Sequence, residues 1–270
     1  MSRDQPRRGR LLRPVRREAP EAVKVPSAPS SASARDTLPS ALRARIRRAL
    51  LRWYDRHARD LPWRRRRHDP YAQWVAEIML QQTRVETVIR YYERFLRRFP
   101  DVNRLAAARH DTLLKYWEGL GYYRRALHMH EAARRIVKEG NGLPASAEAW
   151  RRLPGIGEYT AAAVASIAFG EPVAAVDGNV ARVLARLFGV TDAVAPSEGR
   201  RRIRGIADRL VSPSRPGDFN QAWMDLGSMV CTPRGPRCDV CPLASCCRSA
   251  HRVETVGRLP RRGRHRPLPE

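Results

Sequence analysis

Apolar residues recur at helical spacing along most of the chain. Leu42, Ile46, Leu50 and Trp53 fall on one face, as do Val85, Val88, Ile89, Tyr92, Leu96 and Phe99, and Pro100 stops the second run. The same period, cut by Gly and Pro, predicts further helices over 111–118, 124–138, 146–152, 158–169, 179–188, 198–211 and 218–230. Alternating strand patterns and internal repeats are absent, so the expected class is all-α. Residues 1 to about 38 and the last dozen carry no period and are rich in Arg and Pro. They read as disordered basic arms that either tether DNA or are simply solvated.

Composition adds a partner class. A chain of 270 residues that is 43% hydrophobic can bury a core, and its formal net charge of +25 comes almost wholly from Arg. Such a field selects a polyanion, which charge alone leaves open between DNA, RNA and an anionic membrane surface. No run approaches the roughly 20 apolar residues of a membrane-spanning helix, and the basic N-terminus lacks the apolar segment of a secretion signal. A cytoplasmic, nucleoid-associated monomer is expected.

All five cysteines lie between Cys231 and Cys247, which favours a metal site over disulfides. Cys231, Cys238, Cys241 and Cys247 are spaced C-x6-C-x2-C-x5-C, close enough to share one centre. Tetrahedral zinc and an iron-sulfur cluster both use four thiolates, and spacing chemistry leaves the choice open. Cys246 reads as a free or neighbouring thiol. Leu153-Pro154-Gly155-Ile156-Gly157 lies between two predicted helices, where Gly155 and Gly157 let backbone approach a ligand and the next helix offers its first amides to a phosphate. A tight turn with no ligand is the plainer alternative.

Two carboxylates stand out beside these. Glu77 lies among Val75, Ile78, Met79 and Leu80, where desolvation can hold a proton on it at neutral pH, and Asp177 precedes a helix whose dipole favours the anion. Taken alone, they read as an exposed helix glutamate and an N-cap.

The segments Glu77-Ile78-Met79-Leu80-Gln81-Gln82-Thr83, Gly119-Leu120-Gly121-Tyr122-Tyr123 and Val176-Asp177-Gly178-Asn179-Val180 join the hairpin and the cysteines in one order. Together they resemble the MutY-type adenine DNA glycosylases of the endonuclease III, helix-hairpin-helix iron-sulfur superfamily, from about Trp53 to Cys247. The resemblance implies a 4Fe-4S cluster on Cys231, Cys238, Cys241 and Cys247, Glu77 as catalytic acid and Asp177 as the anion beside the sugar. Tyr159 stands where bifunctional relatives carry a lysine, which implies hydrolysis without strand cleavage. It further implies that Gln82 and Tyr122 enter the helix as the base is flipped, with Thr83 and Asn179 beside the DNA. Arg59 and Gln221 match positions that contact adenine. The implied substrate is double-stranded DNA with A:G or A:8-oxoguanine pairs. A short basic tail follows Cys247 where such enzymes usually carry a further domain for the oxidised base, so a weakened 8-oxoguanine preference is expected.

The domains expected are an arm over 1–39, a six-helix lobe over 63–173, a cluster lobe from 40–62 with 174–250, and a tail over 251–270. Two rivals stand against the adenine reading. A thymine or uracil mismatch glycosylase would share Tyr159 and Asp177, and Glu77 with Gln81-Gln82-Thr83 weighs against it. A noncatalytic metal-cluster DNA-binding protein would need neither carboxylate.

Overall fold

The computed structural model describes residues 38–191 and 197–252 together with Val256 and Leu259. The arm expected over 1–39, apart from Leu38 and Pro39, and most of the tail expected over 251–270 lie outside the described residues. Among the described residues the secondary structure is helical, with no strand, and no helix is long and apolar enough to cross a membrane.

The helices are α1 (Ser40–His57), α2 (Pro62–Arg65), α3 (Pro70–Leu80), α4 (Val85–Arg98), α5 (Val102–Ala106), α6 (His110–Trp117) and α7 (Arg124–Glu139). They continue with α8 (Ala147–Arg151), α9 (Glu158–Ala168), α10 (Gly178–Phe188), α11 (Ser197–Leu210) and α12 (Pro216–Met229), and a 3-10 turn spans Ala244–Cys246. Nine of these fall on the runs that periodicity marks. Periodicity misses α3, because every residue from Tyr71 to Met79 is buried and a helix with no polar face has no amphipathic period. Its start is nevertheless written locally: Asp69 accepts from the Ala72 amide at 2.9 Å and Pro70 sits at the first helical position.

Two hydrophobic cores form. The first gathers α2 to α9 around Trp74, Trp117, Trp150, Tyr92, Phe95 and Phe99. The second gathers α1, α10, α11 and α12 around Ile46, Leu50, Leu184, Leu210, Phe219 and Leu226. They meet where α9 runs antiparallel to α12. Tyr159 reaches Met224, Asn220 donates to Ser166 at 2.8 Å, and a Cβ on Gly217 would stand 2.7 Å from Ile167 Cα. Small residues on both helices, Ala162 and Ala163 among them, permit that approach.

Candidate active site

Glu77 is 4% exposed on the last turn but one of α3, and its Oε2 is buried without a hydrogen-bond partner. Burial pushes its carboxyl up to about 7, and the Asp177 charge adds to the rise. The neighbouring Tyr159 hydroxyl and the Arg64 charge oppose it. Tyr159, in the first turn of α9, donates to Met224 Sδ at 3.5 Å. Burial and the charges of Glu77 and Asp177 hold its hydroxyl well above the ordinary tyrosine value, so it stays protonated.

Asp177 is the N-cap of α10. Its Oδ1 accepts from the Val180 amide at 2.7 Å and its Oδ2 from Asn179 Nδ2 at 2.9 Å, while Asn179 Oδ1 accepts from Arg182 at 3.0 Å. Every partner of this carboxylate is a donor, which fixes its orientation at the head of α10. Three helices from two cores thus bring together a protonatable acid, a hydroxyl and a fixed anion.

On the neighbouring wall, Asp225 is fully buried on α12 and holds Arg59 at 2.6 Å and Arg64 at 2.7 Å. Sequence reasoning singled out Arg59 and missed Asp225, Arg64 and Met224. The signal was the one that exposed Glu77: Asp225 is an acid among Trp223, Met224 and Leu226. Gln221 is buried one turn earlier on α12 and lines a pocket with Arg67, His68, Ser166 and Arg215.

The hairpin enters α9 through Gly155 and Gly157, and only Gly155 needs to be glycine for conformation. Its φ is +73°, and a Cβ there would stand 2.6 Å from His128 Cβ. Gly157 has an ordinary φ of −85° and caps α9 with no side-chain acceptor for the first-turn amides. A Cβ at Gly157 would meet nothing within 4 Å, so its absence keeps that helix end open. Gln82 (φ +58°) and Tyr122 (φ +48°, 61% exposed) project from two loops in the left-handed region. Thr83 is half-buried, with its hydroxyl accepting from Arg125 at 3.0 Å.

The thiols lie apart from this cleft. Cys231, Cys238, Cys241 and Cys247 line one pocket with Arg186, Val230, Pro236 and Arg237, and Cys246 is not on its wall. No Asp, Glu or His joins them there. Among the described residues no three His, Cys, Asp or Glu side chains converge as ligands of a single metal ion. Burial pushes the Cys241 thiol up to about 11 and that of Cys247 up as well. Amides of Leu243 on Cys241, and of Ser249 and Ala250 on Cys247, pull the other way, and Arg186 donates to Cys231 Sγ at 3.4 Å. Burial outweighs these donors, so both thiols are raised on balance.

Residues 75–208 match the HhH-GPD superfamily of base excision DNA repair proteins. A human adenine DNA glycosylase is 48% identical over 77% of this chain and 40% of its own length, and one from Buchnera aphidicola subsp. Baizongia pistaciae is 37% identical over 74% and 57%. The chain therefore spans between 40% and 57% of the length of these curated relatives. Among solved structures, a thermostable thymine-DNA glycosylase is 30% identical with a TM-score of 0.71, covering 77% of this chain and 96% of that one. A trapped endonuclease III–DNA covalent intermediate, 22% identical with a TM-score of 0.66 over 81% of this chain and 100% of that one, shares the fold.

Proposed function

Because the chain belongs to the HhH-GPD superfamily of base excision DNA repair proteins, we propose that it is a monofunctional glycosylase releasing adenine mispaired with guanine or 8-oxoguanine in double-stranded DNA. The buried Glu77, with its carboxyl near 7, is the observation that carries the reading. Breaking the N-glycosidic bond sends its electron pair into the purine and leaves positive charge on the sugar. Glu77 gives its proton to a ring nitrogen of the departing base, and the Asp177 carboxylate holds the sugar's charge. Water then bonds to the anomeric carbon and its proton returns to Glu77. Tyr159 has no amine with which to form a Schiff base, and α3 and α9 carry no lysine. Arg59, fixed by Asp225, and Gln221 read the base.

The open amides at the start of α9 hold a phosphate, and Gln82, Thr83 and Tyr122 take the space the flipped base leaves. Cys231, Cys238, Cys241 and Cys247 hold a 4Fe-4S cluster. When bound there, the cluster would cross-link the 231–247 loop, and the acid-base chemistry rests with the Glu77 and Asp177 side chains.

The thymine-DNA glycosylase likeness supports a second reading, release of thymine from T:G pairs. Single-turnover excision from A:G, A:8-oxoguanine, T:G and U:G duplexes separates the two. Adenine should be released, with the strand breaking only after hot alkali. Glu77→Gln and Asp177→Asn should each lose about 100-fold or more in rate while still binding duplex. Release of thymine with adenine untouched overturns the substrate. Borohydride trapping of a covalent adduct overturns the monofunctional chemistry.

A further inference from the structure

Two loops carry the residues at positive φ beside the cleft, and one guanidinium ties them together. Arg125, in the first turn of α7, donates through Nη1 to the carbonyls of Ile78 and Met79, both at 2.9 Å, and to that of Gln81. Through Nη2 it donates to Thr83 Oγ1 at 3.0 Å and to the carbonyls of Leu120 and Gly121, both at 3.2 Å. The guanidinium carbon also lies 5.4 Å from the Trp117 ring centre and 5.5 Å from that of Tyr122. Ile78, Met79 and Gln81 stand at the C-terminal end of α3, where carbonyls have no partner within the helix. Gln81 is fixed from its other side as well, its Nε2 donating to Thr160 of α9 at 3.2 Å.

We propose that Arg125 is a positioning residue for base extrusion, setting the spacing and rigidity of the Gln82 and Tyr122 loops so that both enter the duplex together. The proposal rests on the reading of the chain as a base-flipping glycosylase. Three observations support it. The strained backbone of Gln82 and Tyr122, each a non-glycine residue in the left-handed region, persists only where surroundings over-determine it. Arg125 supplies those surroundings to both loops at once. Its contacts at Ile78 and Met79 also hold the helix end immediately after Glu77, so the same fork relates the DNA probes to the acid. A planar fork whose four terminal N–H bonds are shared among acceptors on two loops can span six of them in this way; a lysine ammonium, a point charge with three donors, cannot.

The test uses the full chain and a duplex with the fluorescent base 2-aminopurine next to an A:G pair, whose emission rises when it unstacks. Wild type should raise the emission on binding. Arg125→Lys should abolish most of that rise, and lower the single-turnover rate by up to about 100-fold, as misplacement by an ångström can. Its affinity for undamaged duplex should stay near wild type, and well below its melting midpoint its helical content should match wild type. Arg125→Gln, whose amide keeps two N–H donors on an uncharged stem, serves if the lysine variant does not fold. In a Gln82→Ala/Tyr122→Ala background Arg125→Lys should cost little more, because the pin then has nothing to position. Full unstacking by Arg125→Lys, or an undiminished loss in the double-alanine background, overturns the proposal. Wild type that unstacks the probe but releases no adenine sinks the activity reading alone, and wild type that unstacks nothing overturns both.

Discussion

Around α3 the protein is closed by rings. Trp74 lies 5.4 Å from Trp150, Phe95 lies 5.9 Å from Trp117, and all four are fully buried. Around α10 it is closed by arginines. Arg186 is 2% exposed and donates to the carbonyls of Thr232 at 2.7 Å, Pro233 at 3.0 Å and Leu259 at 3.1 Å, while Arg182 donates to those of Cys231 at 3.0 Å and Gly227 at 2.7 Å. The first core is helix on helix, and away from the helix ends its backbone groups are satisfied within each helix. The second must seal an irregular loop, 231–247, whose carbonyls have no ladder to join. Buried guanidinium groups supply the missing donors. Arg125 does the same for the loops of the first core, so the rule follows irregular backbone rather than either region.

If this contrast is right, the two cores should fail differently. Trp74→Ala leaves a large cavity among rings and should cost up to about 5 kcal/mol of global stability, read as a lower urea midpoint with an unchanged slope. Arg186→Met strips the donors from at least three buried or half-buried carbonyls and should cost about 4 kcal/mol. Its loss should be local: protease cuts within 231–247, and iron is lost before α3 to α9 melt. Equal global unfolding in both variants, with no early cleavage of the loop, breaks the comparison.

Legibility followed the same divide. Amphipathic helices such as α4 and α7 could be read from period alone, because one face of each meets water. Helix α3 could not, since it is buried all round, yet it carries Glu77; the acid was found through its apolar neighbours and a family resemblance. Asp225 and Arg125 escaped for a different reason. Their roles lie in partners 161 or more residues away in the one case, Arg64 and Arg59, and in backbone carbonyls in the other, which no residue pattern encodes. The hairpin segment was placed correctly between two helices, but its two glycines were treated alike, and only Gly155 has a φ that demands one.

The two carboxylates sharpen the comparison through pH. Asp177 is held by donors, whereas Glu77 is shaped by burial, which lifts it from 4.5 to about 7. The folded chain therefore keeps a proton on Glu77 across a range where the unfolded chain has released it. The resulting penalty is absent below about pH 4.5 and grows as pH rises through about 7, to roughly 3 kcal/mol at most. Glu77→Gln removes it, so the variant should gain stability relative to wild type between about pH 5 and about pH 8. A stability difference that stays flat over that range would show that Glu77 ionises freely.

The smallest effect is expected at Cys246, and it tests whether the arginine-sealed loop has one defined arrangement. Cys246 ends the 3-10 turn Ala244–Cys246, with its amide donating to Leu243 O at 3.0 Å, and its half-buried side chain packs against the second core. Cys247, the next residue, lines the thiol pocket and receives the amides of Ser249 and Ala250. Side chains of adjacent residues diverge here, so one pocket takes one of the two thiols. Cys246→Ser should therefore keep the brown colour and the iron content of wild type, with stability changed by about 0.5 kcal/mol or less. Cys247→Ser should lose both colour and iron. The reverse pattern would mean that the loop closes on the other thiol, with four residues instead of five between the last two ligands, and that the arginine network seals a different register.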